Sequence, residues 1–339
     1  MSRARLRSLL IDTGLINPVR SLVLAAALGV QLAAVQVQAQ AWPARSIRVI
    51  VSYAPGGVTD IIARAVAQPV GEALGQSLVV ENRPGAAGVI GSEMVAAAPP
   101  DGYTLLMFVD GNAMMPSAIK NLKHDPVKSF AHISLLGRGS LVLVSHPTLP
   151  VASLADVIRY GKANPTALSF ATPGKSGPQH LAFESIKATA GFNAEHIPYK
   201  GGGQAIIDVV AGQVKLGMLG MAPALPHVKA GKLKALVVTS RERSKLLPEV
   251  PTVNESGIPG FEMAQWQGMV APAGTPPEIL ARLHAELLKA MRLPVVMEKL
   301  AAIGMENATS ASPDDFTQLI ARETRRFPEL FRVAGIQPE

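Results

Sequence analysis

Residues 47–53 form an apolar, β-branched run that stops at Ala54-Pro55-Gly56-Gly57, and apolar residues then recur at 58, 61, 62, 65, 66, 70 and 73. A buried strand, a tight glycine turn and a one-faced helix account for that order. The unit repeats: 78–80 reads as strand, 88–98 as helix and 103–109 as strand. A second series has strands at 141–144, 168–171, 195–198, 214–219 and 233–239, and helices from Ser153, near Gln179 and after Gly203. Such alternation predicts parallel sheet covered by helices on both faces. Residues 241–266 read as a connection, 268–271 as a short strand, and 277–291, 295–303 and 313–333 as closing helices.

The first 41 residues have a different character. Arg3, Arg5, Arg7 and Arg20 precede an apolar stretch at 22–35 that Gln31 interrupts, too short for the roughly 20 apolar residues of a membrane span. Small residues at Ala39 and Ala41 place signal cleavage before Trp42. The expectation is an exported periplasmic protein with a cleaved signal peptide at 1–41. The chain has no cysteine, so a lipid-modified Cys, disulfides, thiolate metal sites and Cys nucleophiles are excluded. Loss of the leader lowers the formal charge by three from +7. The mild remainder contains no run of five Lys or Arg, which argues against a nucleic-acid groove and suits an anionic solute.

With 298 residues left after the leader, two lobes are expected rather than one core. Each carries glycine turns between a strand and a helix start: Pro55-Gly56-Gly57 in one, Gly201-Gly202-Gly203 in the other. Free N–H groups and the positive end of the helix dipole favour an anion there. The plainer reading is that glycine only permits a left-handed turn. A third turn, Thr172-Pro173-Gly174-Lys175-Ser176-Gly177, contains Gly-Lys-Ser, but Ser169 stands where a phosphate-binding P-loop needs its first glycine. Its Thr172 and Ser176 hydroxyls and backbone suit a carboxylate instead.

Enzyme signatures are missing. There is no Gly-x-Ser-x-Gly elbow and no His-Glu-x-x-His helix, and the seven histidines lack metal-ligand spacing, so no cofactor or metal is expected. His180 is a candidate for ligand contact or for packing, and Asp60 for a base or for helix capping.

Read together, the turns and their surroundings resemble the solute-binding receptors of tripartite tricarboxylate transporters, the Bug or TctC-like family. The matching segments include Trp42-Pro43, Pro55-Gly56-Gly57-Val58-Thr59-Asp60, Glu81-Asn82-Arg83-Pro84-Gly85, Pro100-Asp101-Gly102-Tyr103, Pro178-Gln179-His180-Leu181 and Pro198-Tyr199-Lys200-Gly201-Gly202. Pro248 to Gly260 and Ala271-Pro272-Ala273-Gly274-Thr275-Pro276 continue the match in order.

The resemblance implies an α/β, type II periplasmic-binding-protein fold, two α/β lobes closing on a ligand cleft, with lobe I from 42–142 plus 241–339 and lobe II from 143–240. It implies a non-enzymatic, monomeric receptor for a small carboxylate: a di- or tricarboxylate, an aromatic acid or an acidic amino acid. Membrane permease subunits or a sensor would be its partners. Ala54, Pro55, Gly56, Gly57, Val58, Thr59 and Asp60 would form the first-lobe turn, and Asp110, Gly111 and Asn112 the cleft floor. Thr172, Pro173, Gly174, Ser176 and Gly177, with His180, and Lys200, Gly201, Gly202, Gly203 and Gln204 would form the second wall.

Three positions depart from the family pattern. Relatives commonly show Gly-Ser where this chain has Ser176-Gly177, an acidic residue at Lys215, and a small hydroxylated residue at Asp110. Asp110 in the cleft would pair with an ammonium group and select an amino acid over a polyanion. A hydrolase or isomerase using Asp60 or His180 is the alternative from another class, and an effector-binding pair of lobes from a transcription regulator is a third.

Overall fold

The computed structural model describes residues 42–338, so the expected leader lies outside the described residues. From Arg45 onward the chain forms one unit. Strand β1 (Ile47–Val51) leads into helix α1 (Val58–Leu74), β2 (Leu78–Asn82) into α2 (Val89–Ala96), and β3 (Thr104–Val109) into α3 (Asp110–Ala118). β1 is flanked in parallel by β2 and β3. Every residue of β3 is buried, as a parallel strand covered on both faces requires.

β4 (Phe130–Ser145) is far longer than the 141–144 segment expected. α4 (Leu154–Ala163), β5 (Ser169–Thr172), α5 (Pro178–Ala190), β6 (Glu195–Pro198), α6 (Gly202–Val210), β7 (Leu216–Gly220), α7 (Met221–Lys229) and β8 (Lys234–Val238) follow. β9 (Ala264–Pro272), α8 (Pro277–Met291), α9 (Pro294–Ala302), the two-residue β10 (Glu306–Asn307) and α10 (Pro313–Ala334) complete the chain. The strands run in the order β2-β1-β3-β9-β4-β7-β5-β6, with β8 and β10 also paired to β4.

β4 is the shared spine. Its residues 130–140 pair with β9, and its residues 141–145 pair with β7. Two register shifts in the β4–β9 ladder interrupt the regular pairing of the first portion. At the join, the Thr239 hydroxyl accepts the Leu141 N–H at 3.0 Å and donates to the Met263 carbonyl at 2.6 Å. Ser140 bonds to Ser240 beside it. Three passes of the chain are thereby tied at one level.

Each half has its own aromatic packing. On the first, Trp266 stacks on Phe108 at 6.1 Å and meets Phe316 of α10 edge-on at 5.8 Å. Gly268 makes room for that ring, since a Cβ there would lie 2.1 Å from Phe316 Cζ. On the second, Phe170 stacks on Phe183 at 4.0 Å. Leu247 and Val250 of the expected connection pack with Val142, Val144 and Val238, so this segment lies against the second half of the sheet.

Candidate functional site

The register decides where the glycine turns go. β9 is antiparallel to both β3 and β4, so β3 and β4 run the same way, whereas β7, β5 and β6 run oppositely. Val109 at the end of β3 is level with Gln267, and Gln267 with Gly137 of β4. Gly220 at the end of β7 is level with Leu141. The carboxyl ends of the two sets of parallel strands therefore approach residues 137–141 of β4 from opposite sides, the position where α/β sheets bind ligands.

In the first half, residues 54–57 leave β1 and α1 begins at Val58. Asp60 holds this turn from within. Its buried carboxylate accepts the Gly56 N–H at 3.0 Å, the Arg64 Nε at 3.0 Å and the Asn82 amide at 2.9 Å. Burial pushes the Asp60 carboxyl up, but the hydrogen bonds from Arg64, Gly56 and Asn82 outweigh it and hold it below the usual range. Asp60 thus shapes the turn.

Asp110, Gly111 and Asn112 open α3 on the neighbouring strand end. Asn112 accepts the Val109 N–H at 2.7 Å and donates to Ser92 at 2.7 Å. A Cβ on Gly111 would come 3.0 Å from the Tyr53 hydroxyl. Asp110 is buried, and its Oδ2 has no partner among the described residues. Burial drives this carboxyl up to about 7, against the pull of the Trp266, Asp110 and Gly111 N–H groups.

In the second half, Pro173 to Gly177 joins β5 to α5, and Tyr199, Lys200 and Gly201 join β6 to α6. A Cβ on Gly202 would touch Pro173 and Pro223 at 3.9 and 3.7 Å, so these turns and the start of α7 are neighbours. Lys175 and Lys200 are exposed and have no ion pair among the described residues. His180 lies behind the turn, its side chain 12% exposed, with Nδ1 accepting the Ser176 N–H at 3.1 Å.

The helix starts differ in how they are capped. α4 and α10 start at Ser153 and Ser312, whose hydroxyls accept the Asp156 and Asp315 N–H groups. The helices that follow the strand ends near residues 137–141 of β4, α1, α5, α6 and α7, start at Gly57, Gly177, Gly201 and Gly220 with no side-chain cap, as α2, α8 and α9 do at Gly88, Pro276 and Leu293. Their first N–H groups stay available. Of Gly57, Gly177, Gly201 and Gly220 none is left-handed: φ is −78°, −86°, 173° and −68°. A Cβ on Gly201 or Gly203 would meet nothing within 4 Å, and on Gly57 only the Ala54 carbonyl at 3.6 Å. Only Gly56, at φ +80°, is needed by its own backbone. Neither conformation nor packing requires the others, which keep space open in front of the helix ends.

Residues 62–336 match the tripartite tricarboxylate transporter family receptor. The chain belongs to that family. It is a family of solute receptors, not of enzymes, and its members are periplasmic binding proteins. Protein BugT of Bordetella pertussis is 36% identical over 308 residues, covering 89% of this chain and 93% of that one. Among solved structures, an R. palustris protein with adipate aligns at a TM-score of 0.80 and 32% identity, covering 88% of this chain and 100% of its own. MatC of Rhodopseudomonas palustris with bound malate aligns at 0.75 and 29%, covering 85% and 99%. These likenesses agree with the mixed α/β receptor fold expected from the sequence.

Sequence reasoning missed the Gly220 turn, the start of α7 and the crossing residues Ser140, Thr239 and Gln265. A Cβ on Gly220 would sit 3.5 Å from Gln265 Oε1, which brings β9 to the same floor. The signal was present as Gly220 before Met221-Ala222-Pro223, another strand-to-helix glycine.

Proposed function

We propose that this receptor captures a small dicarboxylate between the N-terminus of α1 on one side and those of α5 and α6 on the other. The single observation that carries the reading is the set of uncapped glycine starts on both sides, with nothing among the described residues within 4 Å of where a Cβ on Gly201 or Gly203 would stand. A ligand with an anion at each end satisfies both groups of N–H donors. Unpaired Lys175 and Lys200 add positive charge to the second wall. Adipate and malate, named with two solved relatives, are both dicarboxylates.

The lobes meet at Ser140, Thr239 and Met263, so residues 241–263 go with lobe II and the rest of the C-terminal part with lobe I. Closure about that crossing buries the ligand. The leader directs export, cleavage before Trp42 releases a periplasmic receptor, and a tripartite permease or a sensor reads the closed form. Binding proceeds without turnover.

A thermal-shift screen of mono-, di- and tricarboxylates, aromatic acids and amino acids tests the reading. A dicarboxylate present at 100 times its Kd stabilises by about 2.7 kcal/mol. Stabilisation by neutral solutes alone, or chemical conversion of the bound ligand, overturns it. N-terminal sequencing of the periplasmic protein is expected to begin at Trp42.

A further inference from the structure

Beneath the second-lobe turn lies a column of rings. His180 and His196 stack with centroids 3.7 Å apart and planes 13° apart. Phe170 lies 4.9 Å from His196, and Phe183 4.0 Å from Phe170. Both imidazoles reach up into the turn. Because the Ser176 N–H donates to His180 Nδ1 at 3.1 Å, that nitrogen carries a lone pair and the ring hydrogen sits on Nε2, 3.7 Å from Glu184 Oε1. The Thr172 hydroxyl donates to the Gly174 carbonyl at 2.7 Å, which leaves its oxygen to accept from His196 Nε2 at 2.7 Å. Ser176 itself is at φ 53°, left-handed without being glycine. Its N–H bond to His180 is therefore a bond that fixes an unfavourable conformation.

We infer that His180 and His196 are positioning residues that hold the second-lobe turn in its ligand-ready form, and that a proton on His180 Nδ1 releases it. The inference rests on the carboxylate reading of this site. A second hydrogen on Nδ1 faces the Ser176 N–H, donor against donor, and the turn loses its anchor. Burial, then the charge of His180, pushes His196 down to about 4.

The surrounding charges do not reverse this. On α5, Glu184 is already paired with Lys187 at 2.8 Å. Lys175 on the turn is a further positive charge near the pair. β5 and β7 bring no charged residue. On α10, which packs against α5, Glu323 is matched by Arg322 and Arg326, and Glu329 by Arg332. An imidazolium behind the turn attracts an anion through space, but the loss falls on the N–H groups that would contact it.

The test is calorimetry of adipate and malate binding at pH 8, 7 and 6, where both acids stay largely ionised. For the wild type, Kd is expected to rise a few-fold from pH 8 to pH 6 as the turn loses one hydrogen bond. His180→Gln keeps an acceptor that does not titrate and flattens the profile. Ser176→Gly takes the left-handed backbone without help and also weakens the dependence. A wild-type affinity that is constant, or that tightens as pH falls, overturns the inference.

If neither acid binds at pH 8, that result counts against the dicarboxylate reading alone. Nitrogen-15 spectra of the ligand-free protein then decide: Nδ1 of His180 is expected to be unprotonated at pH 8, with the Ser176 amide resonance following the His180 titration. A protonated Nδ1 at pH 8, or a Ser176 amide that ignores His180, overturns it independently.

Discussion

Asp60 accepts the Gly56 amide at 3.0 Å, so the carboxylate of the first helical turn reaches back over the glycine loop that precedes it. The bond explains how a turn of four exposed residues, Ala54 to Gly57, keeps one shape. Asp60→Asn removes the charge while preserving the size. With Arg64 half-exposed its ion pair contributes little, so the cost rests on the amide bonds, about 1–2 kcal/mol. For a chain of this size that is a fall in Tm of about 2–3 °C by calorimetry. The folded-state carboxyl is held low, so its contribution is full above the ordinary Asp range and disappears as pH falls through the folded value. Below about pH 4, wild type and variant should converge.

The two kinds of glycine in the turns should respond oppositely to alanine. Gly56→Ala forces φ +80° on a residue with a Cβ and should cost about 1 kcal/mol. Gly201→Ala meets no atom within 4 Å and sits at extended φ, so stability is unchanged or slightly raised. Ligand affinity should nevertheless fall about tenfold in Gly201→Ala as the methyl enters the space before α6. Paired Tm and calorimetric measurements separate the effects. A Gly201→Ala protein with native affinity would show that this space is not used.

Much of the parallel sheet was legible because its signals are local. The expected strands at 47–53, 78–80 and 103–109 overlap β1, β2 and β3 because they are largely apolar runs, and Ser153 and Ser312 mark helix starts by their own hydroxyls. The first portion of β4 was not, because His132, Ser134, Gly137, Arg138 and Ser140 break its apolar pattern and two register shifts break its alternation. α3 and α7 were hidden by inner prolines, Pro116 and Pro226. The glycine turns could be named from spacing. That their strand ends approach one stretch of β4 depends on Gly137 and Leu141 pairing with strands more than 70 residues away in sequence, which no local pattern records.

Thr239 is wholly buried at the crossing and bonds both Leu141 and Met263. Thr239→Val keeps the shape and removes the hydroxyl, leaving a buried N–H and a buried carbonyl short of a partner. The expected loss is about 3 kcal/mol, or a Tm lower by about 5 °C. Thr239→Ser retains the hydroxyl and should recover most of it. Equal Tm values for valine and serine variants would mean that the crossing is held by packing alone.

Asp110 should behave in the opposite sense to Asp60. Its carboxyl is raised by burial to about 7, so the folded protein holds a proton that the unfolded chain releases near the ordinary Asp value. Between those values the native state binds more protons, and stability falls as pH rises. Asp110→Asn removes this ionisation. The variant should therefore match the wild type near pH 4 and exceed it at pH 8 by a few kcal/mol, read as a difference in urea midpoints. The same variant tests whether the unpartnered Oδ2 meets a ligand ammonium: unchanged preference for malate over aspartate in calorimetry would assign Asp110 to the folded-state proton balance and not to ligand choice. A wild-type protein that gains stability steadily from pH 4 to pH 8 relative to Asp110→Asn would place the charged carboxylate in a compensated site and refute the assignment.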